Sequence, residues 1–145
     1  MAGSTCRDIR ARITTLSSQV YRVRVLFICE HGSAKSVIAA AHFERMARER
    51  GVSAQAFSRG TDPDAEYPPH VLAGLAGDGL APLDDHPVGL SANDLDEAAH
   101  VVAFCSTETL PARTEKWHDV SPVSDGYLRA REEIVNRLER LFNSI

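Results

Sequence analysis

The segment 23–50, VRVLFICEHGSAKSVIAAAHFERMARER, constrains the chain more than any other. It opens with VRVLFIC, a short run rich in Val, Leu, Ile and Phe, as in a strand buried on both faces of a parallel sheet. A polar turn begins at Cys29. Residues 36–50 then place the small residues Val37, Ala40, Ala41 and Ala47 near one helical face, and Gly51 supplies the stop. A strand, a loop and a helix in this order predict an α/β fold. The loop would lie at the carboxyl end of the strand and the amino end of the helix, where such folds bind anions.

The residue types in the loop suggest what it does. The backbone N–H groups of Glu30, His31, Gly32, Ser33, Ala34 and Lys35 can turn inward as a nest, backed by the positive end of the helix dipole. Gly32 gives the curl its freedom. Lys35 adds a full positive charge, and Ser36 is placed either to cap the helix or to donate its hydroxyl to a sulfur anion. His31 can donate to a bound anion or face solvent. These surroundings favour the thiolate of Cys29, the nucleophilic form of the side chain. The expected chemistry is attack by Cys29 on a tetrahedral oxyanion. Two other readings compete: a strand-end cysteine is often a small buried hydrophobe, and Lys35-Ser36 opening a helix suggests a nucleotide P-loop. That motif needs glycines where this chain has Cys29 and Ala34.

CEHGSAKS at 29–36 resembles the C-x5-R-S signature of the low-molecular-weight protein tyrosine phosphatases and of the thiol-dependent arsenate reductases built on the same fold. The likeness runs on through VLFIC before the loop, the Ala-rich helix after it, SRGT at 58–61, the run HVVAFC, and residues 117–119 before a last helix. It spans nearly the whole chain from Val23 onward. The resemblance implies a three-layer α/β/α domain with a four-stranded, mostly parallel sheet. It also implies a phosphatase in which Cys29 attacks a phosphomonoester to form a cysteinyl-phosphate, while Glu30, His31, Gly32, Ser33, Ala34 and Ser36 wrap the oxyanion. Arsenate, a close geometric substitute for phosphate, is the alternative substrate.

The departures from the family pattern carry their own expectations. Lys35 stands where the family has arginine, keeping the charge but losing the planar fork that grips two oxygens. The family's general acid is an aspartate followed directly by proline. Here the candidates are Asp119, followed by Val-Ser-Pro, and Asp125; Asp119 is preferred because it follows Trp117 closely. Family members acting on phosphotyrosine carry aromatics beside that aspartate, whereas the loop after Asp119 offers the more distant Tyr127, which does not favour phosphotyrosine. Cys105 occupies the place of the first of two resolving thiols in the arsenate reductases, and the second place, near Pro111, holds no cysteine. Cys105 is therefore a candidate resolving thiol, and arsenate reduction would need an external thiol reductant. Lys35 and the missing Asp-Pro pair also motivate a reading of another class, a catalytically impaired module that binds an oxyanion or a phosphoprotein.

The 145 residues suffice for one compact domain, expected at 23–145 and preceded by an extension at 1–22. In that extension Ile9, Ile13 and Leu16 at helical spacing suggest a short helix or loose tail, and Cys6 reads as an incidental thiol. A net charge of −4 and the absence of a basic stripe argue against a general nucleic-acid binder. No apolar stretch is long enough to span a bilayer, so no membrane partner and a cytoplasmic location are expected. An odd count of three cysteines without C-x-x-C, and six scattered histidines, give neither a disulfide framework nor a metal site; no cofactor is expected.

The remaining pattern predicts a strand at 53–57 and a loop at 58–69 flanking the catalytic mouth, with Tyr67 in a packing role. A short helix at 70–76, an irregular connection at 80–90, and a helix at 93–99 capped by Asn93 should follow. Strands are expected at 100–105 and 114–120, the second delivering Asp119 to the mouth. A closing helix carries Leu128, Ile134, Leu138, Leu141 and Phe142 at helical spacing.

Overall fold

The structure is a computed structural model and describes residues 22–145, so the expected extension, with Cys6, lies outside it except for exposed Arg22. Strand β1 (Val23–Cys29) leads through the loop into helix α1 (Lys35–Glu49), followed by β2 (Ala54–Gly60), α2 (Pro69–Gly77), α3 (Ala92–Glu97), β3 (His100–Ala103) and β4 (Glu115–Lys116). A 3-10 turn at Val123–Asp125 precedes the last helix, α4 (Tyr127–Ser144). The four strands form one parallel sheet in the order β2-β1-β3-β4. From central β1 the chain crosses to β2 on one side and then to β3 on the other. This reversal makes the carboxyl end of β1 a topological switch point, where open α/β sheets form ligand crevices.

The alternation of side chains along β1 divides the core. Val25, Phe27 and Cys29 face the cluster built with α1 and α4, whereas Leu26 and Ile28 join Ala98, Val101 and Ala103 on the opposite side. Burial on both faces explains why this strand reads as an unbroken apolar run. In α1 three successive alanines, Ala39 to Ala41, are all buried, and their small side chains let the helix lie close to its neighbours. Phe43 then stacks on Phe142 at 4.6 Å between centroids and meets Phe27 edge-on at 5.8 Å. The buried residues of α4, Ala130, Ile134, Leu138, Leu141 and Phe142, keep the helical spacing of an apolar face.

Several boundaries differ from the sequence expectation. β2 extends to Gly60, past the expected end at residue 57, because Ser58 and Gly60 continue the buried alternation of Ala54 and Ala56 and pair with Phe27 and Cys29 of β1. α3 starts at Ala92, not 93, and its cap is Ser91 rather than Asn93. The Ser91 hydroxyl accepts from Asp94 N, and the Asp94 carboxylate accepts from Ser91 N, forming a capping box. β3 ends at Ala103, although Phe104 N still donates to Ile28 O. The last strand shrinks from an expected 114–120 to Glu115–Lys116, at the sheet edge. No helix among the described residues is long and apolar enough to cross a membrane.

Candidate active site

Two glycines set the shape of the loop after β1. Gly32 has a φ of +61°, and a Cβ there would lie 2.7 Å from Gly60 N; a Cβ on Gly60 would lie 2.6 Å from Gly32 N. The two backbones therefore touch at a distance that neither site could keep with a side chain. Behind this contact Thr61 N donates to Cys29 O at 3.2 Å, Asp62 N to Glu30 O at 2.7 Å and Asp64 N to His31 O at 3.0 Å. With these carbonyls bound to the segment after β2, the outer side of the loop is fixed. Buried Ser33 adds a side-chain tie, its Oγ donating to Asp64 Oδ2 at 2.8 Å.

The inner side leaves the start of α1 without a side-chain partner. α1 begins at Lys35 with Ala34 as its N-cap, which has no side-chain acceptor, and the first turn contains no acidic residue. No side chain therefore caps the helix amides or neutralises the dipole there. Ser36, the other candidate cap, instead points to Cys29: its Oγ lies 2.9 Å from Cys29 Sγ, with both side chains buried. A hydroxyl in this position donates to a thiolate. Lys35 Nζ donates to Val120 O at 2.7 Å. One of the three ammonium hydrogens is thereby committed, leaving two for a ligand.

A cavity of about 420 Å³ brings together Cys29, Glu30, His31, Ser33, Ala34 and Lys35 from the loop. Asp64, His70 and Cys105 reach it from other segments, and Phe104, Pro122, Val123 and Ser124 complete its wall. The segment after β2 thus flanks the mouth as expected, through Asp64 and Pro68. Tyr67 is not in the wall; its hydroxyl donates to Asp84 O at 3.1 Å, and burial pushes its phenol up to about 12. Cys105 is half-buried, and burial raises its thiol above the usual range, with the charge of Cys29 acting in the same direction. Among the described residues no group of three or more His, Cys, Asp or Glu could hold a metal ion.

Asp119 takes its partner outside the cavity. It does not line the cavity: its carboxylate is largely exposed and accepts from Arg137 Nη2 at 2.6 Å. That hydrogen bond holds its carboxyl below the usual range. Asp125 is also exposed and absent from the cavity wall. The physical reason lies in α4. Arg137 packs over the buried Trp117 ring and draws Asp119 outward, while Glu133 accepts from both Ser121 N, at 2.7 Å, and Ser121 Oγ, at 2.8 Å. These partners, like Asp64 and His70, carry no motif. The only hint of them in the sequence is the acid and base four residues apart on the last helix.

The profile of the family described as low molecular weight phosphotyrosine protein phosphatase matches residues 24–141. No curated protein matches the chain. Among solved structures, an arsenate reductase from Archaeoglobus fulgidus is 30% identical with a TM-score of 0.65, the match covering 81% of this chain and 97% of that one. A thioredoxin-dependent arsenate reductase from Corynebacterium glutamicum is 26% identical with a TM-score of 0.69, covering 84% of this chain and 61% of that one. A low molecular weight protein tyrosine phosphatase from T. tengcongensis shares the fold at a TM-score of 0.73 and 20% identity, covering 85% and 99%. With the profile matched over most of its length and the loop, sheet order and crevice in place, the chain belongs to the low molecular weight phosphotyrosine protein phosphatase family.

Proposed function

We propose that the protein is a cysteine-dependent phosphatase acting on phosphomonoesters in the cytoplasm. The observation that carries this reading is the placement of the Cys29 sulfur 2.9 Å from Ser36 Oγ, in a cavity that also contains Lys35 and the loop at the α1 amino terminus. The thiolate attacks phosphorus, the S–P bond forms as the ester P–O bond breaks, and the leaving oxygen takes a proton from solvent. Water then attacks phosphorus, releasing inorganic phosphate and restoring the thiolate. The loop amides and the two uncommitted hydrogens of Lys35 stabilise the equatorial oxygens through both steps. A free thiol nucleophile fits a reducing compartment.

Cys105 in the same cavity supports a second reading, arsenate reduction, the activity named for two of the structural relatives. Cys29 attacks arsenic and water leaves from a protonated oxygen. Cys105 then attacks the Cys29 sulfur, the S–S bond forms as the S–As bond breaks, and arsenic departs as arsenite with the electron pair. An external dithiol reductant restores both cysteines. The two readings separate when the protein and its Cys29→Ser variant are assayed with an aryl phosphate and, in parallel, with arsenate plus thioredoxin. The phosphatase reading predicts aryl phosphate turnover that falls by about a thousandfold or more in the variant. Arsenate turnover that needs both Cys29 and Cys105 would favour the second reading. Anion binding with neither turnover would leave an oxyanion-binding module.

A further inference from the structure

The peptide group between Val120 and Ser121 is held at both ends. Its carbonyl accepts from Lys35 Nζ at 2.7 Å, and its N–H donates to Glu133 Oε2 at 2.7 Å. In a trans peptide these two groups point in opposite directions, so the carboxylate meets the positive end of the peptide dipole and the ammonium meets the negative end. Hydrogen bonds in such a chain polarise one another. Three further features stiffen the arrangement. The other Glu133 oxygen, Oε1, accepts from Ser121 Oγ at 2.8 Å. Val120 is buried, and Pro122 fixes the backbone directly after Ser121. The two bonds from Ser121 hold the Glu133 carboxyl below its usual range, so it is charged under working conditions.

From this chain of contacts we infer that Glu133 and Ser121 are positioning residues for the oxyanion site, acting on Lys35 through the Val120 carbonyl. The inference rests on the reading of Lys35 as the cation of that site. A lysine ammonium on a flexible stem lacks the fixed donor fork of an arginine, and anchoring one of its hydrogens supplies the missing orientation. Glu133 lies outside the cavity wall, and the peptide is its hydrogen-bonded link to Lys35.

The test is a double-mutant cycle on the full chain with Glu133→Ala and Lys35→Met, read by kcat and KM for an aryl phosphate and by the Kd of inorganic phosphate. Ser121→Ala, which removes only one bond, serves as a milder second variant. Misplacing a group that contacts the reacting atoms costs on the order of tenfold to a hundredfold. Glu133→Ala is therefore expected to lower kcat and weaken phosphate binding by about that factor, Ser121→Ala by less, and neither to change Lys35→Met further. Equal losses in both backgrounds would overturn the inference, as would a lowered Tm with unchanged kcat and phosphate Kd. Phosphate binding keeps the cycle readable if no substrate turns over, so failure of the phosphatase reading and failure of the clamp remain distinct. Absence of phosphate binding by the unaltered protein would contradict both.

Discussion

At the residue scale, the site depends on which partner each polar side chain takes. Ser36 can serve either the helix amides or the sulfur, and the 2.9 Å contact shows that it serves the sulfur. Those amides remain available to an anion. Lys35 takes a backbone carbonyl, which fixes its ammonium without using all its donors. Asp119 takes Arg137, which removes it from the mouth. With Asp119 outside the wall, Asp119→Asn should change aryl phosphate turnover by less than about twofold, since surface substitutions away from a site have small effects. Rates across a series of aryl phosphates should instead fall steeply as the leaving phenol becomes more basic. A hundredfold loss in Asp119→Asn, with a shallow leaving-group dependence in the unaltered protein, would show that this loop turns inward during the reaction.

At the element scale, the packing of helices on the α1 face involves a buried polar network. His42 on α1 is almost fully buried; its Nδ1 faces Arg45 at 3.3 Å and its Nε2 lies 3.3 Å from Asp78 Oδ2, off hydrogen-bond geometry. Asp78, just after α2, also accepts from Tyr127 Oη at 2.8 Å and Arg131 Nη1 at 2.6 Å on α4. Burial, with Arg45 acting in the same direction, pushes His42 below the ordinary histidine range and outweighs the attraction of Asp78. Between the lowered native value and the unfolded value of about 6.5, the unfolded chain binds more protons than the native state. Stability contributed by neutral His42 is therefore complete above that unfolded value and is lost as pH falls below it. Asp78 stays ionised in this window because its hydrogen bonds to Tyr127 and Arg131, against a burial effect that opposes them, hold it below the usual carboxylate range. Thermal unfolding should thus drop by a few degrees from pH 7.5 to pH 5.5, and His42→Gln should flatten the dependence. An equally steep slope in the variant would assign the effect to other groups.

The same scale shows what the sequence could convey. β1, α1 and α4 are legible because each buries a long, regular apolar face: both sides of a central strand, and the stripe from Ala130 to Phe142. The loop is legible because Cys29, Gly32, Lys35 and Ser36 lie within eight residues of one another. The end of β2 is not, since Ser58-Arg59-Gly60 reads as loop chemistry and becomes strand only through pairing with β1. The Gly32–Gly60 contact joins residues far apart in sequence. The surroundings of Asp119 are hidden for the same reason. Its distance from Trp117 is local information, but the Arg137 and Glu133 side chains that set the loop come from a helix whose rotation only tertiary packing determines.

At the scale of the whole molecule, the parallel sheet, its reversal beside β1 and the helices behind it converge on one crevice. The carboxyl end of β1 brings Cys29, the end of β3 brings Cys105, and the loop before α4 brings the carbonyl that holds Lys35. A second cavity of about 450 Å³ lies against α1 and α4, lined by His42, Asp78 and Arg131 among others. Asp78 and Arg131 pair there across the helices, with buried His42 beside them. The nucleophilic chemistry we propose lies in the crevice at Cys29. The most direct test is a single-turnover reaction with an aryl phosphate, quenched in acid and read by intact mass and peptide mapping. The account predicts one phosphoryl group on Cys29, formed as the phenol is released and absent in Cys29→Ala. Phenol release without any protein-bound phosphoryl group, persisting in Cys29→Ala, would contradict it.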